Sequence, residues 1–204
     1  MAERVPGIDI SHWQGLFNFK AAAANGYKFC FAKATEGGSY IDKQFARNRT
    51  EAKKHGLLFG AYHFLRPQSD PVEQAEHFFN ITKGVLPGEL PAVLDWEVMD
   101  GARNSQGKAG ALKWMSLIHE WTGVPPILYT GPSFVKERGG LAEFASYPLW
   151  LAHYTKTAPR VPPAWKTWSF WQYSDSAGLD KNWFNGSYDQ LEKFVKPGDD
   201  TPRC

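Results

Sequence analysis

The chain has 204 residues, 43% hydrophobic and 22% charged, the profile of one globular domain with a substantial core. Its 23 Lys plus Arg against 21 Asp plus Glu leave a formal charge of +2, too balanced for the electrostatic footprint of a nucleic-acid binder. No apolar run reaches the ~18 residues of a membrane span, and the opening Met-Ala-Glu-Arg-Val-Pro-Gly lacks the apolar stretch of a signal peptide. The reading is therefore of a soluble monomer with neither nucleic acid nor membrane as partner. Cys30 and Cys204 make neither a disulfide framework nor a metal cluster, and both are expected as free thiols.

In chain order, an apolar strand is expected over 5–10, then a helix over 18–24 stopped by Asn25-Gly26. A strand over 29–34 leads to a helix over 42–55 that Gly56 ends, and a third strand covers 57–64. Asp70-Pro71-Val72-Glu73 is a capping-box variant with Pro at the first helical position, so a helix starts at 71. After a fourth strand at 92–98 comes a helix over 105–121. Its Ala111, Trp114, Met115, Ile118 and Trp121 recur at spacings of three and four before Gly123 and Pro125. A fifth strand covers 126–129.

Beyond Gly140 the rhythm changes, because strand-like segments at 148–154, 167–173 and 178–184 are joined by short Pro-, Ser- and Gly-rich connections without room for long helices. Strand then helix, repeated about five times, implies parallel pairing, since parallel strands need crossovers. The expected fold class is α/β: an irregular TIM-like barrel of eight strands, shorter than the ~250 residues typical of a complete one. An open doubly wound sheet is the alternative. One catalytic domain is expected over residues 1–204, with a polar tail at 196–204.

In such architectures chemistry gathers at the C-terminal ends of strands, and carboxylates stand there. Asp9 closes the first strand, Glu36 follows the second, Asp95 and Glu97 close the fourth, and Asp180 lies on the last. Asp95 and Glu97 are two apart, so strand geometry points both to one face and Leu94 and Trp96 to the other. Like charges held that close cannot both ionise freely, which leaves a proton for general-acid work, expected on Glu97 with Asp95 charged. His12, His63 and His153 also lie near strand ends, but the absence of a His-x-His pair or a Cys cluster makes a metal site a weak reading. No metal or other cofactor is expected.

Aromatic residues make up 15% of the chain, and Tyr62, Phe64, Tyr129, Trp150, Tyr154, Trp171 and Tyr173 fall at the same strand ends. An acidic floor rimmed by aromatic faces suits a polysaccharide, since the faces stack on sugar rings while carboxylates act on the glycosidic oxygen.

Seven segments carry a family resemblance. They are Gly7-Ile8-Asp9-Ile10-Ser11-His12-Trp13-Gln14-Gly15, Phe31-Ala32-Lys33-Ala34-Thr35-Glu36-Gly37, Gly60-Ala61-Tyr62-His63-Phe64, Leu94-Asp95-Trp96-Glu97, Leu128-Tyr129-Thr130-Gly131, Trp150-Leu151-Ala152-His153-Tyr154 and Trp171-Gln172-Tyr173-Ser174. In this order the chain resembles glycoside hydrolase family 25, the Chalaropsis-type lysozymes, from about residue 6 to residue 194. The resemblance implies five β/α units followed by three strands. It also implies a muramidase that cuts the β-1,4 bond between N-acetylmuramic acid and N-acetylglucosamine in peptidoglycan glycan strands. Glu97 is implied as general acid/base, and Asp95 as the partner that orients the substrate's 2-acetamido group. Carboxyl spacing leaves a double-displacement nucleophile and inversion open, and the substrate's N-acetyl group beside an Asp-x-Glu pair favours acetamido participation with net retention. Asp9 and Asp180 match two further acidic positions counted with them as catalytic. Lys181 replaces an apolar residue expected beside Asp180. Glu36, Tyr62, Phe64, Tyr129, Trp150, Tyr154 and Gln172 are the substrate-binding candidates.

A catalytically inactive carbohydrate-binding barrel is the alternative function. Such an enzyme acts outside the cell on the wall. The N-terminus fits an endolysin held in the cytoplasm until a separate holin-type pore releases it, with a secreted lysozyme as the second reading.

Overall fold

Phe29 and Phe31, two apart on one strand, fill the centre of the fold, and the other strands are arranged around them. The computed structural model describes residues 3–195. The elements follow in order as β1 (Arg4–Ile10), α1 (Phe19–Ala24), β2 (Phe29–Glu36), β3 (Tyr40–Ile41), α2 (Phe45–Lys54), β4 (Leu58–Phe64), α3 (Pro71–Thr82) and β5 (Val93–Asp95). Then come α4 (Asn104–Thr122), β6 (Ile127–Thr130), α5 (Pro132–Glu137), β7 (Leu149–Ala152), β8 (Phe170–Ser174), β9 (Asp180–Asn185) and α6 (Tyr188–Glu192).

Eight strands close into a mixed barrel, with the two-residue β3 added beside β2. Pairing is parallel from β1 through β2, β4, β5, β6 and β7 to β8. β9 runs antiparallel to both β8 and β1 and shuts the ring. The reversal follows from length, because the five residues between β8 and β9 cannot make the crossover of a dozen or more that a parallel return needs. Five β/α units are followed by three strands, as the resemblance implies.

Alternation sorts the side chains. Phe29, Phe31, Val93, Ile127, Trp150, Phe170 and Phe184 point into the barrel. Cys30, Ala32, Leu94, Leu128, Leu151 and Trp171 point outward, most of them under the helices, where Phe78, Trp114 and Ile118 meet them. Cys30 is buried as a free thiol; Cys204 and the 196–204 tail lie outside the described residues. The helix at Pro71 begins as expected, since the Asp70 carboxylate accepts from Val72 N and Glu73 N. β5 is shorter than expected and stops at Asp95. Trp96 then plugs the outer core against Phe134 and Phe144, and Glu97 stands on the loop beyond it.

The barrel's centre leaves no room on two inward positions. A Cβ at Gly7 would lie 2.2 Å from the Phe29 ring, and one at Gly60 would lie 2.4 Å from Phe31. Because those rings are themselves packed edge-on and stacked against Phe170 and Trp150, they have no direction in which to yield. Gly7→Ala is expected to cost about 1–3 kcal/mol through overpacking and to lower Tm by several degrees, roughly 2–4 °C per kcal/mol at this size. An unchanged thermal unfolding curve would contradict this packing account.

Candidate active site

At the mouth of the barrel, where β1 to β8 end and β9 begins, lies an open cleft of about 260 Å³. Four carboxylates from three segments line it: Asp9, the neighbouring Asp95 and Glu97, and Asp180. Asp9 sits at the end of β1, directly across from Asp180 in the antiparallel pair. Asp180 thus reaches the cleft from the start of its strand rather than the end, because β9 runs the other way.

Asp9 is buried and held by two amides. Gln172 Nε2 donates to its Oδ2 at 2.9 Å and Asn182 Nδ2 donates to the same oxygen at 2.7 Å. The orientation of Asn182 is forced. Trp150 Nε1–H, which can only donate, reaches Asn182 Oδ1 at 2.8 Å, so the NH₂ must face Asp9. Gln172 Oε1 accepts from the hydroxyls of Tyr129 (2.9 Å) and Tyr154 (2.8 Å). Burial, then the Asp180 charge, push the Asp9 carboxyl up to about 7 against the pull of the two amides, and Glu97 adds to the rise.

Asp95 is also buried, and its Oδ1 has no hydrogen-bond partner. Burial, followed by the Glu97 charge, raises its pKa well above the usual carboxylate range, while Lys33 works against this. Glu97 is exposed as a residue, but desolvation at the cleft wall raises its pKa; Lys33 opposes the rise and Asp180 adds to it. Both therefore hold protons more tightly than a free carboxyl, the buried Asp95 more so than Glu97.

Lys33 escaped the sequence reading; it continues the inward alternation of Phe29 and Phe31, and a β-bulge just after it turns Thr35 the other way. Lys33 pairs with Tyr62 and Thr35 with His63, so Ala34 is the extra residue. Ala34 lies in the outer core and Thr35 bonds His63 at 2.7 Å, while Lys33 is left facing the cleft. Its Nζ lies 4.8 Å from the Phe64 ring centroid and 2.5 Å from Glu36 Oε2. Glu36 does not line the cleft; Arg66 clamps its Oε1 at 2.6 and 2.9 Å. Burial works to raise the Glu36 pKa, and its bonds to Lys33 and Arg66 overcome this and hold it low.

Tyr62, Phe64, Tyr129, Trp150, Tyr154 and Gln172 all line the cleft. Trp150 is 2% exposed and stacks on Phe31, so it forms the floor and offers no face to a sugar. Tyr129 is likewise buried. Trp13 is the missed aromatic, 82% exposed at the cleft edge. It rides on a one-turn 3-10 helix (His12–Gln14) that Ser11 caps and that Gln14 Nε2 ties to Gly178 O at 3.2 Å. Its position just past a strand end was the available signal. The three histidines go elsewhere: His63 is buried between Thr35 and Gln74, His12 bonds Asp42 at 2.8 Å, and His153 accepts from Arg160 N. Among the described residues no group of three His, Cys, Asp or Glu could hold a metal ion.

The raised Asp9 has a measurable cost. Between the unfolded value of 3.8 and about 7 the folded chain holds a proton there that the unfolded chain has lost, so stability falls as pH rises through that window. Asp9→Asn keeps an oxygen to accept both amides and removes the charge. It is expected to raise Tm relative to wild type at pH 8 and to lose most of that advantage by pH 4. An advantage that grows on acidification would refute this account of the burial.

Residues 8–181 match the family described as Glycosyl hydrolases family 25. Lysozyme M1 of Streptomyces globisporus is 36% identical over 207 residues, covering 92% of this chain and 70% of that protein. The N,O-diacetylmuramidase of Chalaropsis sp is 33% identical over 210 residues, covering 94% of this chain and 99% of that one. The solved structure of a family GH25 lysozyme from Aspergillus fumigatus agrees with a TM-score of 0.91 at 36% identity, covering 96% of this chain and all of that one. With these matches running along nearly its whole length, the chain belongs to glycosyl hydrolase family 25.

Proposed function

We propose that the chain is a lysozyme that hydrolyses the β-1,4 bond between N-acetylmuramic acid and N-acetylglucosamine in bacterial peptidoglycan. The observation that carries this reading is the convergence of Asp9, Asp95, Glu97 and Asp180 on one cleft whose floor is aromatic. The names of the relatives from Streptomyces globisporus and Chalaropsis support the same reaction. A binding barrel would have no need of four carboxyls that each resist ionisation, which sets the inactive alternative aside.

Glu97 is the general acid. It stands on the solvent side of the pair, so it can protonate the departing glycosidic oxygen and recover a proton from water. Asp95, which lines the cleft beside Glu97, receives the 2-acetamido N–H on its carboxylate. Such a bond favours the ionised form of Asp95, leaving the pair's proton on Glu97. The polarised acetamido oxygen then attacks C1 as the C1–O bond breaks and the Glu97 proton passes to the leaving oxygen. Water, deprotonated by Glu97, opens the ring so formed and restores the acetamido group with net retention. In their ionised forms Asp9 and Asp180 add negative potential opposite the positive charge that develops at C1.

One copy of the chain supplies every cleft residue named, which supports action as a monomer. No described helix is long and apolar enough to cross a membrane. Since the substrate lies outside the cytoplasm, a chain made inside needs a separate pore or an export route to reach it.

Glu97→Gln keeps the shape and removes the acid. Release of new reducing ends from purified peptidoglycan is expected to fall by roughly 10²- to 10⁴-fold in kcat, with wall binding retained. A folded variant above about a tenth of the wild-type rate is incompatible with that acid contribution. Asp95→Asn is expected to be nearly as damaging, and the double variant no worse than about the single ones, because both residues serve one transition state. Retention is read from the first anomer released: initial β-product is expected, and initial α-product would exclude acetamido participation.

A further inference from the structure

Outside the barrel, the last three strands differ from the rest. No α-helix lies between β7 and β9; on the outer face Trp171 is buried against Trp168 of the connecting segment, while Tyr173 and Trp183 are only partly buried. Alternation turns Phe170 and Phe184 inward and Trp171, Tyr173 and Trp183 outward. Tyr173 and Trp183 stack at 5.3 Å with planes 17° apart, and Trp171 meets Tyr173 edge-on at 5.8 Å. Arg4, at the start of β1, lays its guanidinium 5.3 Å from the Trp171 ring and 5.5 Å from that of Trp168.

Arg4, Trp171, Tyr173 and Trp183 line a second groove of about 530 Å³, which Lys156 also borders. Its charge is opposite to that of the cleft. Arg4 and Lys156 are its ionisable cations, and among the described residues no acidic side chain lines it and neither cation has a carboxylate partner. Tyr154 borders both the groove and the acidic cleft, so the two are continuous.

On the reading that the cleft binds muramic acid, we propose that this groove takes the anionic stem peptide carried by that sugar. Glycan itself is uncharged along its length apart from such substituents, so a cationic wall beside an acidic cleft has no use for the sugar chain. The peptide hangs from the lactyl group of muramic acid and bears free carboxylates. Four extended residues reach about 13–14 Å, which lets the chain cross Tyr154 and lie on the partly exposed Tyr173 and Trp183. Arg4, its plane already set by two indoles, presents a fork that a carboxylate can meet with two hydrogen bonds. Lys156 supplies a second, mobile charge. The groove thus makes the enzyme prefer muramic acid units that still carry their peptide.

The test compares intact peptidoglycan with the same material stripped of its stems by an amidase, using wild type and the double variant Arg4→Gln/Lys156→Gln. On intact wall the double variant is expected to show a roughly three- to tenfold higher KM at unchanged kcat, the scale of two partly exposed charge pairs. On stripped glycan it should match wild type. Equal losses on both substrates, or no loss on either, would overturn the proposal. So would a loss that follows removal of anionic wall polymers rather than removal of peptide. A direct measurement separates this from the reading of the cleft: a soluble stem tetrapeptide titrated into Glu97→Gln should shift the indole N–H signals of Trp171 and Trp183, and the shift should vanish when Arg4 and Lys156 are replaced. If the peptide binds there but no enzyme form cleaves wall, the cleft reading has failed and the groove stands. If wall is cleaved but the peptide leaves those signals unmoved, the groove has failed.

Discussion

A single buried carboxyl at the seam of the barrel, that of Asp9, ties closure of the sheet to the chemistry of its mouth. β1 is the strand that pairs on one side with β2 and on the other with β9, so the ring closes only in a register that sets Asp9 across from Asp180. Like charges directly opposite on antiparallel strands are destabilising. A slip of one residue would relieve them, but it would also turn Ile8 and Ile10 into the barrel and every inward side chain of β1 out. The amides of Gln172 and Asn182 offset the remaining cost. They come from β8 and β9, the strands that complete the ring, so the donors arrive only when the fold has closed.

What surrounds Asp9 explains why a protein of average charge can hold protons near neutral pH. Phe31, Trp150 and Tyr129 pack under the carboxyls and keep water from beneath them. In that setting every fixed dipole acts more strongly than it would at a wet surface. Trp150 therefore does two jobs: its ring supplies the apolar floor, and its N–H fixes the amide that faces Asp9. The aromatic residues available to a sugar are a different set, with Trp13 and Tyr154 exposed at the rim.

Much of this was legible in the sequence, and what was not has physical reasons. Asp70 before Pro71 announces a helix because both signals are local chemistry. Asp9, Asp95 and Glu97 are legible because a carboxylate after an apolar strand has few ordinary uses. β3, α5 and α6, of two, six and five residues, are too short for any periodicity to show. The length expected for β5 was wrong because Asp95-Trp96-Glu97 alternates like a strand while Trp96 in fact ends it by filling the outer core. Gln172 came from resemblance alone, since its bond to Asp9 spans 163 residues and that of Asn182 spans 173. No spacing rule reaches that far. Lys33 continues the inward alternation of Phe29 and Phe31 and so was readable; what the bulge hid is Thr35, which alternation would place beside Lys33 and which instead bonds His63 on the outer side.

That lysine matters to the balance of charge in the cleft. Lys33 is the cation among four carboxyls in the cleft lining, and an ammonium free to swing would fall directly onto Asp95 or Glu97. A direct pair pulls a carboxyl pKa down and would work against the burial that raises those of Asp95 and Glu97. Glu36 prevents this by holding the ammonium itself, and Arg66 holds Glu36 from behind, with Lys33 and Arg66 each 4.8 Å from the Phe64 ring. Lys33 then acts on Asp95 and Glu97 through space, lowering both without bonding either. Glu36 stands outside the cleft lining and still bears on its electrostatics, because it holds the cation that acts on Asp95 and Glu97.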